Sequence, residues 1–334
     1  MGRGCRVGDG VRGHGVPSPQ HSAETKQCGV AVICRCVGYV AGLDVIENPD
    51  FTVEPWCLRA TDLDLDVLAQ TESVFALSNG HIGWRANLDE GEPHGLPGSY
   101  LNGVFEERPL PYAEAGYGFP ESGQTVINVT NGKLIRLLVD DEAFDIRYGE
   151  LHEHERLLDF REGVLHRRAE WTSPAGQSVR VSSQRMVSFT QRSVAAIRYE
   201  VKALDEPVRV VVQSELVTNE QLPVVGADPR MATVLTAPLL SEAYASHDTW
   251  VELVHCTEHS GLRVAAAMDH IVEEPSDVQT LTEAYPDLGR VTFTASLKPG
   301  QCFRLVKFVA YGWSGVRSLP GVRDQVVAAL VAAR

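Results

Sequence analysis

The sequence has no Cys-x-x-Cys pair, no excess of basic charge and no apolar run of bilayer length. Its seven cysteines are irregularly spaced, with four of them inside the first 36 residues. An odd count at such spacing makes a poor disulfide framework and fits a reducing compartment. Cys28, Cys34 and Cys36 are followed by no second Cys/His pair at finger spacing, which excludes a structural zinc site. The apolar run at 29–43 is broken by Arg35 and is too short to span a membrane. It also begins too late for a secretory signal and lacks a small-x-small cleavage site. A formal net charge of -14 would be repelled by a nucleic-acid backbone or an anionic membrane, so neither is expected as a partner. What remains is a soluble, cytoplasmic protein that handles neutral small molecules.

Motifs for familiar chemistries are missing or out of context. There is no phosphate-binding GxxxxGK[ST] sequence. Gly8, Gly10 and Gly13 have GxGxxG spacing, but no strand precedes them and no amphipathic helix follows, which removes the dinucleotide reading. HEHE at 152–155 is the densest group of ligand-type residues. It is not HExxH and reads as a solvated loop or edge strand, with His152 and His154 on one face. Gly312-Trp313-Ser314-Gly315 lacks the last glycine of a nucleophile elbow. No metal site is expected, and no local pattern raises Glu72, Glu106 or Glu121 above a surface carboxylate or a turn acceptor.

What the chain does have is strands. Its 334 residues allow two domains or one large β unit. Residues 1–44, rich in Gly and Arg without an apolar period, read as a disordered leader outside the native fold. After Pro49 the sequence becomes a series of period-two runs rich in Val, Thr, Ile and aromatics, with no helical pattern between them. Turn signals punctuate these runs at Asn131-Gly132, 173–176, 204–207, Ser260-Gly261 and Pro299-Gly300. The pattern predicts a mainly β fold, a large antiparallel sandwich. A helix begins after Pro320-Gly321 with Val322, Val326, Val327 and Leu330 on one face, a stripe that needs a surface to lie against. The sequence offers it none before Arg334, so it reads as a truncated linker helix with an exposed apolar face.

The densest stretch is 72–106, ESVFALSNGHIGWRANLDEGEPHGLPGSYLNGVFE, where turn residues, aromatics and glycines alternate. Asn79-Gly80 is a tight-turn signal. Together with LLDFREGVLHRRAEWTSPAGQSVRVSSQRMVSFTQRSVAAIRYEV, this stretch resembles the N-terminal domain of glycoside hydrolase family 65, which includes maltose, trehalose and kojibiose phosphorylases. The resemblance implies a β-sandwich over 45–316 and, over 317–334, the start of a linker to an (α/α)6 barrel in cis or trans. It further implies an α-linked disaccharide substrate, with inorganic phosphate as co-substrate in the phosphorylases and no other cofactor. The general acid and the phosphate site would then lie in the barrel, with no catalytic residue in this chain. Asn79, Gly80, Gly83, Gly98, Tyr100 and Gly103 carry the family motif and would be scaffold. Trp84, Tyr117 and Trp313 are the aromatics available for sugar stacking, and a homodimer is possible. Two other functions stay open at this point: a stand-alone carbohydrate-binding sandwich and a degenerate, shortened gene product.

Overall fold

In a computed structural model the chain is described over residues 51–93, 95–109, 118, 122–220, 235 and 237–334. The expected leader and Tyr117 lie outside the described residues. Among the described residues, one antiparallel sheet runs in the order β1 (Thr52–Glu54), β2 (Cys57–Ala60), β10 (Glu150–Asp159), β11 (Val164–Thr172), β12 (Ser178–Val187), β13 (Val194–Ala203), β20 (Cys302–Ser314), β17 (Arg263–Glu274), β16 (Trp250–Thr257), β15 (Leu239–His247). A second runs β18 (Gln279–Ala284), β19 (Leu288–Leu297), β14 (Val208–Val217), β8 (Ile135–Val139), β9 (Glu142–Ala143). Two small sheets complete the set, β3 (Leu77–Ser78) with β4 (Ile82–Trp84) and β5 (Ser99–Leu101), and β6 (Phe105–Pro109) with β7 (Ser122–Val126).

Strict alternation turns one face of each large sheet inward. Ala195, Ile197, Tyr199 and Val201 of β13 are buried, as are Phe303, Leu305, Val309 and Tyr311 of β20. Val208, Val210, Val212 and Leu216 of β14, and Val291, Phe293 and Ala295 of β19, belong to the same core. Phe293 meets Phe303 with ring centroids 6.1 Å apart, and Trp171 meets Phe144 at 5.2 Å. Each such side chain contributes about 1.5–3 kcal/mol through removal from water. The expected antiparallel sandwich is what forms.

The turns are less uniform than the sequence suggests. Those at 173–176 and Ser260-Gly261 close true hairpins, β11 with β12 and β16 with β17. Asn131-Gly132 does not: β7 pairs with β6, β8 with β14, and Asn131 forms a lone bridge to Val217. Gly132 is there because a Cβ would come within 2.8 Å of Val309 and the Tyr311 hydroxyl, a close approach and no reversal. The turns at 204–207 and Pro299-Gly300 are also no hairpins; each carries the chain from one large sheet to the other. They cross side by side, with Gly300 N donating to Ala203 O at 2.9 Å. A turn signal fixes the reversal but not which sheet receives the next strand.

The terminal helix corrects another expectation. The structure has two helices among the described residues, α1 (Leu68–Val74) and α2 (Leu319–Ala333). The face of α2 is not left exposed: Val322, Val326 and Leu330 are buried against Val194, Val254, Ala265, Ala267 and Ala310 on the outer face of the large sheet. Small side chains on β17 and β20 let the helix approach, and Val326 reaches within 3.0 Å of where a Gly312 Cβ would stand. The Ser318 side chain caps the helix, Arg323 pairs with Glu252, and Arg334 reaches Asp269 at 2.6 Å. No helix among the described residues is long and apolar enough to cross a membrane.

Candidate functional site

The segment from α1 to β6 packs along the large sheet, from β11 and β12, which Asp89 meets, to the β16–β17 turn, which Glu106 meets. Its turn is built as the sequence suggests: Gly80 takes a φ of +79°, and Asn79 Oδ1 accepts from the backbone N–H of His81 and Ile82. The Asn79 amide also donates to the carbonyls of Ser188 (2.6 Å) and Arg192 (3.0 Å), which fastens this turn to the β12–β13 connection. Gly98 and Gly103 are fixed by close approach, Gly98 to the Arg85 side chain and Gly103, at φ +88°, to the Trp313 ring. Gly83 faces Tyr100 across β4 and β5 with ordinary room for a side chain. Trp84 is 2 % exposed, edge-on to Tyr311 with centroids 6.3 Å apart and with the Lys133 ammonium over its ring. Trp313 and Tyr100 are half-buried.

Four carboxylates of this segment are buried, and each is occupied. Glu72 accepts from the N–H of Gly95 and Leu96, both at 3.1 Å, and from Arg85. Asp89 receives Arg185 at 2.6 Å, Arg167 at 3.1 Å and the Ser183 hydroxyl at 2.7 Å. Glu90 takes both Nη groups of Arg167, at 2.5 and 2.8 Å. Glu106 receives Ser260 N at 2.8 Å and His259 N at 3.1 Å, tying β6 to the β16–β17 turn. Burial raises the Asp89 carboxyl, but Arg185 and Arg167 outweigh it and hold it at about 2. Burial likewise opposes ionisation of Glu106, and the N–H groups of His259 and Ser260 again win, so its pKa is lowered. Asp89 and Glu106 are thereby kept as acceptors at neutral pH, whereas a general acid needs a proton to give.

The basic partners stand at inward positions of regular strands. Arg167 sits in register with Leu165 and Ala169 on β11, and Arg185 with Val187 on β12. Lys307 lies between Leu305 and Val309 on β20 and donates to the carbonyls of Leu134 (3.1 Å) and Glu215 (2.8 Å). Lys133 donates to Gly98 O at 2.9 Å and Ser99 Oγ at 2.6 Å, and burial pushes its amine down to about 7. Sequence reading passed over all of them, although for Arg167, Arg185 and Lys307 a charge at an apolar position of an alternating strand was the available signal. The HEHE stretch also departs from its expected pattern. A bulge between Leu151 and Glu153 puts His152 in solvent and buries His154, which burial and Arg167 push down to about 2 and keep neutral.

A separate concavity of about 310 Å³ lies on the outer face of the large sheet, lined by Ser182, Gln184, Arg198, Glu200 and Arg304. Its charges are paired, Arg304 with Glu200 and Glu274 and Arg198 with Glu273. Among the described residues, no group of His, Cys, Asp and Glu could hold a metal ion.

Comparison with known proteins bears on the same segment. The family described as glycosyl hydrolase family 65, N-terminal domain, matches residues 58–334. An uncharacterised glycosyl hydrolase of Mycobacterium tuberculosis is 58% identical over 290 residues, covering 87% of this chain and 37% of that protein. The α,α-trehalose phosphorylase of Thermoanaerobacter brockii is 29% identical over 272 residues, 79% of this chain and 35% of the relative. A putative kojibiose phosphorylase from the human microbiome shares the fold, with a TM-score of 0.74 at 19% identity over 85% of this chain and 36% of that one. The chain thus spans little more than a third of the length of the relatives it matches.

Proposed function

The chain belongs to glycosyl hydrolase family 65 by way of its N-terminal domain, and from that membership we propose that it is the β-sandwich domain of an enzyme acting on α-linked disaccharides. In this reading residues 45–316 are the sandwich, 317–334 lead towards an (α/α)6 barrel in cis or trans, and the barrel performs the chemistry. There a general acid protonates the glycosidic oxygen as its bond to the anomeric carbon breaks. Phosphate, or water in a hydrolase, forms the new bond from the opposite face. Phosphate is already an anion and needs no base to activate it, whereas water does. The names of the trehalose, maltose, kojibiose and nigerose phosphorylases among the relatives support the disaccharide class.

The observation that carries the scaffold role is the occupancy of Glu72, Asp89, Glu90 and Glu106 by backbone and guanidinium donors. Asn79, Gly80, Gly98 and Gly103 then shape a rigid surface beside the barrel, and Gly83 and Tyr100 complete its small sheet. The thiols of Cys57, Cys256 and Cys302 are free, in keeping with a cytoplasmic setting. The test is an assay of sugar 1-phosphate and free glucose release from trehalose, maltose and kojibiose, with and without phosphate. The chain alone is expected to give no turnover, and turnover at an enzymic rate would overturn the reading.

A further inference from the structure

The ionic layer beneath the 85–98 loop is not balanced. Arg156 on β10 is 2 % exposed, and neither of its two Nη groups has a hydrogen-bond partner. Its neighbours are committed elsewhere. Both oxygens of Glu90 face Arg167, both oxygens of Asp89 are shared by Arg185, Arg167 and Ser183, and Glu72 is held by two backbone N–H groups and Arg85. Among the described residues, the partly exposed Arg85 and the buried Arg156, Arg167 and Arg185 meet three carboxylates, and Arg85, Arg167 and Arg185 each bond one of them while Arg156 bonds none. His154 adds no negative charge, and Lys133 adds only positive charge when protonated. Burial and then the neighbouring Arg167 pull the Arg156 guanidinium down to about 10, which still leaves it charged at neutral pH.

A buried, uncompensated cation is far more expensive than an unpaired neutral donor. Water could satisfy the N–H groups but would leave the charge. The other orphaned buried atoms of this layer include the Tyr199 hydroxyl and His154 Nδ1. Tyr199 feels Asp89 and Glu90 and is held firmly protonated by burial, so its O–H is a donor. His154 is neutral and can present Nδ1–H once Nε2 accepts from Arg167 Nε at 3.3 Å. Unused donors on the Arg156 guanidinium and the neighbouring His154 imidazole, with no unused carboxylate beside them and Asn87 Oδ1 the one orphaned acceptor of the loop, are the chemistry of an anion site.

We propose that Arg156 holds a small monovalent inorganic anion of halide size beneath the 85–98 loop, as a structural counter-ion that clamps this loop and α1 to the large sheet. A halide suits the place because it is weakly hydrated, carries a single charge and takes donors from any direction. The ion makes the fit of the glycine-rich segment depend on the anion present and not only on ionic strength.

The test compares thermal unfolding of the intact chain in sodium bromide and in sodium gluconate at equal ionic strength, so that screening is matched. At about a hundred times the dissociation constant, bromide should raise Tm by about 5 °C over gluconate, which is too large to enter. Crystals grown in bromide should show an anomalous peak within hydrogen-bond distance of the Arg156 Nη atoms. In Arg156→Met the bromide effect should vanish while Tm in gluconate is held or raised. Equal wild-type Tm in the two salts, or a bromide effect that survives in Arg156→Met, would overturn the proposal. If that variant does not fold, the bromide crystal decides, and ordered water alone at Arg156 overturns it.

Discussion

Two regions of the large sheet's inner face are packed by different means. Where β13, β20 and β17 face β14 and β19, the interior is mainly apolar, with Phe293, Phe303, Leu305 and a run of valines around the buried Lys307 and His270. Where β10, β11 and β12 face the 85–98 loop, it includes Arg156, Arg167, Arg185, Asp89 and Glu90, each no more than 7 % exposed. Apolar contact is forgiving in direction and tolerates a regular, repetitive sheet. Charge-assisted hydrogen bonds are directional, and they place an irregular glycine-rich loop whose backbone has few ladder partners of its own. The sandwich is therefore stable by area and the segment is positioned by geometry.

That contrast can be broken at several strengths. The largest effect is expected for Asp89→Asn, which leaves Arg185 and Arg167 short of a buried partner and should cost about 3–5 kcal/mol at neutral pH in chemical denaturation. Its pH dependence has a definite sign. The folded-state pKa of Asp89 lies at about 2, below the usual carboxylate value, so the unfolded chain binds its proton first as pH falls. The carboxylate's contribution, about 2 kcal/mol, is complete above about pH 4 and is lost as pH drops towards 2. The gap between wild type and Asp89→Asn should narrow over that window. Leu305→Ala, in the apolar half, should cost about 2–4 kcal/mol with no such narrowing.

Glu106→Gln keeps the shape of the side chain but weakens the bonds to His259 and Ser260, and about 1–3 kcal/mol should be lost. Its effect should fade as acid protonates Glu106, again because its folded pKa is the lower one. Arg198→Ala, at an exposed pair on the outer face, should stay within about 0.5 kcal/mol in the same measurement. A large effect there would mean that the outer concavity has a structural part to play.

The apolar half was legible in the sequence because alternation is a local property. The runs around Arg180, Tyr199 and Phe293 declare their inward faces without reference to any distant residue. Sheet membership was not legible: 204–207 and Pro299-Gly300 look like hairpin turns, yet both exchange sheets. The resting place of α2 was missed for a similar reason, since Val194, Ala265 and Ala310 are outward-facing positions on separate strands that only the fold brings together. The ionic half was hidden because Asp89 and Arg185 are 96 positions apart, and nothing near either names the other. Family resemblance located the segment; only the structure shows what fixes it.

The most direct test of the account is native-state hydrogen exchange at about pH 7 and about pH 2.5, read as protection factors. The account predicts that amides of the 85–98 loop lose protection at the lower pH while those of β13, β14 and β20 keep most of theirs. Loop and sheet losing protection in parallel, or a loop unaffected by acid, would contradict it.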